Sequence, residues 1–354
     1  MKNVKIFCTS GGEEVVLAML PHLRQRLINM LASETIAKHE VSFYANQNIN
    51  VKPEDVRGCI VVVIHTMTPP VSDHVIELFA LLQTLHDADL ERLYIVFPYM
   101  PYVRSDIKDE GRISVMAQWF ADTVCHTAPN ARVLLFDSHA AHVKHYFRPT
   151  ADEISTKYLM ADYLCQRVLG QKSKEEWALV FADSTANKRY ESIVHIMGLQ
   201  RAYIDKYRPK DGGRPKIVGL VGDVKGKHCL LFDDEVLTAG TSEADGEYLI
   251  KNCGALSVPV CAAAHGIFEN SETAHSLETR GEKVRIFMES LGQGVIQQFI
   301  VGHSVPVNEK LKFTDRITVV PTEKFHAEAI SRLILRVSLS ELHQPDAVPL
   351  YKLH

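Results

Sequence analysis

Apolar runs of strand length alternate with helix-length segments along almost the whole chain, and no other feature limits the fold as tightly. "CIVVVIHTM" (59–67), "RLYIVFPYM" (92–100), "RVLLFDSH" (132–139), "WALVFADS" (177–184) and "HCLLFDDE" (228–235) each carry apolar residues on both faces. Strands of that kind are buried on both sides, as in a parallel sheet sandwiched between helices. Helices are predicted over about 13–33, 72–90, 113–128, 153–170 and 188–198, from Glu243 onward, and over about 323–336. "VKIFCTS", "HEVSFYAN", "RAYIDKYR", "VPVCAAAHGI", "QQFIVGHSV" and "ITVVP" complete the strand set, with a weaker region over 270–295. The expected class is α/β.

A chain of 354 residues is long for one core, so two α/β units are expected. A faint internal similarity agrees. "CIVVVIHTMTPPVSDHVIELFALLQTL" and "HCLLFDDEVLTAGTSEADGEYLIKNCG" both read strand, loop, helix. The pattern breaks at "RPTADE", near 148–155, giving an expected first unit of 1–150 and a second of 151–304, with about 305–354 packing back to complete the first.

A net charge of −4 offers no overall positive field, so neither nucleic acid nor an anionic membrane surface is an expected partner. The apolar runs fall short of the roughly 20 residues that cross a bilayer. The opening "MKNVKIFCTSGGEE" lacks the apolar stretch of a signal peptide. Seven cysteines without a CxxC pair read as reduced thiols, and the expected compartment is the cytoplasm.

Chemistry concentrates where strands end. In "HCLLFDDEVLTAGTSEADGEYLIKNCGA" (228–255) a strand predicted to stop at Phe232 is followed by Asp233 and Asp234, then by Thr238, Ala239, Gly240 and Thr241 ahead of a helix. Small residues at a helix N-terminus offer amides and hydroxyls to a phosphate. The paired acids suit sugar hydroxyls or a hydrated Mg²⁺. Together they read as a ribose-5-phosphate site, the plain alternative being an acidic strand end before a capped helix. "FPYMPYVRSDIKDEGRIS" (97–114) puts Arg104 beyond another strand, where its planar fork suits nucleotide phosphates; a solvated turn would look the same. Asp137 and His139 in "RVLLFDSHAAHVKHYF" read as metal or phosphate ligands, and Asp183 in "WALVFADSTANKRYESI" as a metal or ribose ligand. In "DKYRPKDGGRPKIVGLVGDVKGK" (205–227), Lys206, Arg208, Lys210, Arg214 and Lys216 make a basic, hairpin-like loop. Such a loop reads as a lid over polyphosphate or as a solvated turn.

Taken in order, "FPYMPYVRSDIKDEGR", "FDSHAAHVKHYF", "ADSTANKR", "DKYR", "VGDVKGKHCLLFDDEVLTAGT" and "AHGIF" make the chain resemble the ribose-phosphate diphosphokinases over most of its length. The resemblance implies two similar phosphoribosyltransferase-like domains, each a mainly parallel sheet flanked by helices, assembled as a homo-oligomeric dimer or hexamer. It implies Mg²⁺ as cofactor, and ATP and ribose 5-phosphate as substrates converted to 5-phosphoribosyl diphosphate and AMP. By the same resemblance Lys206 and Arg208 are the catalytic pair. Arg104, Ser105, Asn46 and His139 fall on ATP-binding positions, and Asp137, His139 and Asp183 on metal-linked ones. Asp233, Asp234, Thr238, Ala239, Gly240 and Thr241 fall on the ribose-5-phosphate site. The chain departs from the family pattern at "FYANQN" (43–48), which lacks the adenine-loop glutamate, at Ser105 in place of glutamine, at Leu237 in place of an acid, and at "STAN" after Asp183. Two other activities use the same parts: a phosphoribosyltransferase consuming phosphoribosyl diphosphate, and a non-catalytic regulatory homologue.

Overall fold

A computed structural model describes residues 3–28, 30–31, 36–108, 111–170, 172–207, 216–237, 239–268, 294–307 and 315–346. The chain divides into one unit of Met1–Thr156, Ser304–Pro306 and Thr322–Tyr351, and another of Lys157–His303 and Val307–Pro321.

The first unit is built on strands β1 (Val4–Cys8), β4 (Ile60–Ile64), β5 (Arg92–Phe97), β6 (Arg132–Phe136) and β7 (Asp152–Ile154), hydrogen-bonded in that order and all parallel. Every residue of β4 is buried, as its unbroken apolar run requires. Helix α1 (Glu13–Arg26) buries Val15, Val16, Met19, Leu20 and Leu23, and α2 (Val71–His86) buries Val75, Leu78, Leu81, Leu82 and Leu85, each a single helical stripe. Helix α3 (Met116–Thr127) packs on α2, and the last helix, Glu323–Leu335, packs on α1. Arg26 of α1 is ion-paired with Glu328 of that last helix. A hairpin of β2 (His39–Phe43) and β3 (Ile49–Pro53) stands apart from the five-stranded sheet.

Helix α1 stops seven residues before the 33 expected from periodicity, because the chain beyond it pairs with β1: Val4 N donates to Met30 O at 2.7 Å, and Leu31 bridges to Val4. Strand β3 was not foreseen; its polar "INVKP" lacks an apolar stripe.

At the carboxyl end of β4, His65 is 1% exposed and its Nδ1 lies 2.7 Å from Thr9 Oγ1. Burial, reinforced by His74, pushes its pKa down to about 3. The imidazole is therefore neutral in the fold and charges readily once the chain unfolds. Unfolded protein then binds more protons between the ordinary histidine pKa and about 3, so stability falls as pH drops through that window, by up to about 1.4 kcal/mol per pH unit. Urea unfolding of the wild type and His65→Gln between pH 7 and pH 4 checks this, and a flatter profile in the variant is the expected result.

In the second unit the order is β10 (Lys216–Val221), β9 (Gln200–Tyr207), β8 (Trp177–Phe181), β11 (His228–Val236), β12 (Ser257–Gly266), β13 (Gln298–Gly302) and β14 (Ile317–Val320). All neighbours are parallel except β9 and β10. Alternation along the strands divides the core in two. Ala178, Val180, Cys229, Leu231, Cys261 and Ala263 go to one face, covered by α7 (Gly240–Cys253) through Leu249. Trp177, Leu179, Phe181, Leu230, Phe232 and Ala262 go to the other. That face is covered by α4 (Lys157–Leu164), α5 (Ser184–Tyr190) and α6 (Ser192–Met197) through Met160, Leu164, Tyr190, Ile193 and Met197. The fold is thus α/β with two largely parallel sheets, as expected. The strand β10 lies inside what reads from sequence as one long loop. Its register slips between Ile217 and Gly219, and Gly222 ends it at φ 107°, where a Cβ would come within 2.7 Å of Arg201 O. Among the described residues no helix is long and apolar enough to cross a membrane, and all seven cysteines are free thiols.

Candidate active site

The second unit gathers acids at the carboxyl ends of β8 and β11. The β8–β11 pairing ends at Phe181 and Phe232, but β11 continues to Val236 against β12 alone, so Asp233 and Asp234 sit on a strand overhang. This corrects the expected strand end at Phe232: Asp233, Asp234 and Glu235 are strand residues. Asp183 follows β8 and caps α5, with Oδ1 accepting from Thr185 N and Ala186 N at 2.8 Å each. Asp233 keeps part of its surface open, yet its carboxyl is raised well above the usual range, first by burial and then by the charge of Asp234, with Asp183 adding to it.

Immediately beyond the overhang, Ala239 adopts the left-handed conformation at φ 59° and caps α7, which starts at Gly240. Ala239 is buried, while Gly240 and Thr241 are exposed. An L-residue at such a φ carries strain of about 1 kcal/mol, so the turn is held open by its surroundings rather than by preference. Helix α7 therefore begins three residues before Glu243, the predicted start. Thr238 lies outside the described residues.

Lys206 is the penultimate residue of β9 and pairs in register with Ile217 of β10. Its Nζ donates to Asp245 Oδ2 of α7 at 2.7 Å, with the two side chains 12% and 2% exposed. Burial pushes Asp245 up to about 6 against the pull of Lys206, and Asp183 adds to the rise. The reading of Lys206 as part of a loop is thus corrected, because the hairpin ladder holds its backbone. Arg208, Lys210 and Arg214 lie outside the described residues.

The first unit holds the other candidates. Arg104 is exposed in the turn after β5. Ser105 donates through Oγ to Ser114 O at 2.7 Å and accepts from Met116 N at 3.2 Å, so its hydroxyl closes the 105–116 loop. Asn46 lies in the β2–β3 turn, where Oδ1 accepts from Asn48 N at 3.2 Å. His139 is half-buried just beyond β6. Asp137 departs from its reading as a metal ligand. It is 2% exposed, with Oδ1 taking hydrogen bonds from Ser155 Oγ (2.5 Å) and Thr156 N, and Oδ2 from Thr156 N and Thr156 Oγ1 (2.6 Å). Both oxygens are engaged in bracing the chain.

Sequence reasoning missed Asp245 and Glu243. Glu243 accepts from Val295 N at 2.8 Å and Ile296 N at 3.3 Å, tying the first turn of α7 to the segment before β13. An acid on a helix reads as solvated surface, and the one available signal was that "SEADGEYL" sets Asp245 beside the buried Gly246 and Leu249.

Among the described residues no group of three or more His, Cys, Asp or Glu is disposed to hold a metal ion by itself. Hydrated Mg²⁺ needs only one or two carboxylates when substrate phosphates supply the rest. Burial raises Asp233 most, and the added repulsion from Asp234 and Asp183 is the part a divalent cation relieves. The residues therefore fit such an ion. A groove of about 580 Å³ in the first unit is lined by Arg26, Lys324, Glu328 and Arg332, none of them among these candidates.

The family described as the N-terminal domain of ribose phosphate pyrophosphokinase matches residues 15–127. A ribose-phosphate pyrophosphokinase of Caldanaerobacter subterraneus subsp. tengcongensis is 28% identical over 342 residues, covering 96% of this chain and 98% of that protein. One from Clostridium perfringens is 28% identical over 347 residues, covering 97% and 98%. Among solved structures, the phosphoribosylpyrophosphate synthetase from Mycobacterium smegmatis aligns with a TM-score of 0.76 at 24% identity, over 95% of this chain and 100% of that one, a likeness of fold.

Proposed function

Because the chain is a divergent relative of the ribose-phosphate pyrophosphokinases, we propose that it transfers the diphosphoryl group of ATP to the 1-hydroxyl of ribose 5-phosphate, giving 5-phosphoribosyl diphosphate and AMP. The observation that carries this reading is the crowding of Asp183, Asp233 and Asp234 at adjoining strand ends, next to a small-residue turn that opens α7. In it, Asp233 and Asp234 accept from ring hydroxyls. The 239–241 amides receive the 5-phosphate, and Thr238 is assigned to the same task. Lys206 supplies positive charge to the phosphoryl group in transfer, and Arg208 is assigned to the same task. Transfer of this type depends on positioning and charge stabilisation, with no covalent nucleophile required.

On the nucleotide side the proposal assigns Arg104 and His139 to ATP phosphates and the Asn46 turn to the base. Ser105 shapes the loop that carries Arg104. Asp183 and Asp233 would hold Mg²⁺, which neutralises phosphate charge when bound. Asp137 is left out of that set, its oxygens being already bonded. The reading extends to a cytoplasmic homo-oligomer, dimer or hexamer, that makes a precursor for nucleotide synthesis.

A second reading, a regulatory homologue without activity, is favoured by one observation: the charge of Lys206 is spent on Asp245. Incubation of the purified protein with Mg²⁺, ATP and ribose 5-phosphate separates the two. AMP and 5-phosphoribosyl diphosphate formed one for one is the expected result. ADP would reject the proposed reaction, and absence of any product would favour the regulatory reading.

A further inference from the structure

The Lys206–Asp245 pair calls for an explanation that stability does not provide. Burying two opposite charges costs desolvation that their attraction barely offsets, and two apolar side chains of similar volume generally serve a core as well or better. Yet Asp245 lies among the buried residues of α7, between Ser242 and Leu249, with its carboxylate 2.7 Å from the Lys206 ammonium.

The pair also stands in a particular place. Lys206 comes from β9 and Asp245 from the helix whose first residues form the proposed phosphate turn. The other titratable groups that face Asp245 are Asp183 from the end of β8 and Cys261 from β12. Cys261 is held protonated by burial and feels the charge of Asp233 on β11 as well. Glu243 of α7 acts on Cys261 too, but the ammonium is bonded to Asp245, with Asp183 close enough to act on that acid.

We infer that Asp245 is a positioning residue for Lys206: it fixes the ammonium between β9 and the start of α7, aimed for use by the phosphoryl group in transfer. This rests on the diphosphokinase reading and adds to it a residue outside the strand-end turns. Without Asp245, Lys206 keeps its charge but loses its fixed geometry. Misplacement of a charge-stabilising group by about 1 Å is enough to cost two orders of magnitude in rate.

The test is a double-mutant cycle in kcat and KM, using Asp245→Asn, Lys206→Met and both together, with folding followed by circular dichroism. The expected result is that Asp245→Asn lowers kcat by about 10–100-fold while KM for both substrates stays within about threefold of wild type. In the Lys206→Met background Asp245→Asn should lower kcat no further, because there is no ammonium left to place. An equal loss in both backgrounds would make Asp245 merely structural, and an unchanged kcat in the single variant would also overturn the inference. Should Asp245→Asn not fold, Asp245→Glu, which keeps the charge and displaces it by one methylene, is used with the same expectations. If the wild type forms no AMP, the reaction reading falls separately. The pair is then decided by labelling with an amine-reactive acetylating reagent read by mass spectrometry. Lys206 that labels several-fold faster in Asp245→Asn than in wild type supports a fixed ammonium, and equal rates overturn it.

Discussion

Replacing Lys206 with alanine is expected to lower AMP formation by about 10²–10³-fold, the loss typical when one preorganised donor of transition-state charge stabilisation is removed. The fold should survive, and the reason lies in its partner. Asp245 is already pushed up to about 6 by burial, with Lys206 as the influence that holds it down. Once the lysine is gone the carboxyl rises further and takes a proton near neutral pH. The interior then holds a neutral acid, which is far cheaper than an unpaired anion. Single-turnover AMP formation together with the thermal unfolding midpoint checks both halves of the claim. A variant that keeps near-normal turnover would remove Lys206 from the catalytic assignment.

The second large effect concerns stability. Asp137→Ala should destabilise the first unit by about 3–5 kcal/mol, because it strands Thr156 N, Thr156 Oγ1 and Ser155 Oγ without their acceptor, at about 1–3 kcal/mol for each buried group left unsatisfied. The position also has φ 44°, which a short polar side chain bonded to nearby backbone tolerates better than alanine does. The carboxylate joins the end of β6 to the residues that follow β7, so the loss should loosen the β6–β7 edge of the sheet. Urea unfolding should show a lowered midpoint with an unchanged slope, and a wild-type midpoint would refute the bracing role.

How much of this was legible in the sequence depended on which forces each residue answers to. The parallel strands were plain, because a strand buried on both faces must be apolar throughout, as Ile60–Ile64 and His228–Phe232 are nearly so. Asp183 and the Asp233–Asp234 pair were found at strand ends because acids interrupt apolar runs there abruptly. Strands β3 and β10 were missed for the opposite reason. "INVKP" and "KIVGLV" are edge or hairpin segments with mixed exposure, and the prolines and glycines around the second masked its ladder. Asp137 and Asp183 look alike in sequence, each an acid just past an apolar strand. Only the hydroxyls and amide at 155–156, far along the chain, make one of them a brace. Asp245 could not be read, since nothing local says that a helical acid faces inward toward a lysine 39 positions earlier.

The division of the chain into units has a consequence for biosynthesis. The last helix, Glu323–Leu335, lies against α1 in the first unit, while β14, Ile317–Val320, closes the edge of the second unit's sheet. Neither half is whole until the ribosome has passed residue 320 for the second unit and 335 for the first. A nascent chain carries an uncovered α1 face and an unfinished sheet margin until residues 317–335 have been made. Such exposed apolar surface is what chaperones recognise, and a premature stop near residue 310 would strip a component from both halves at once.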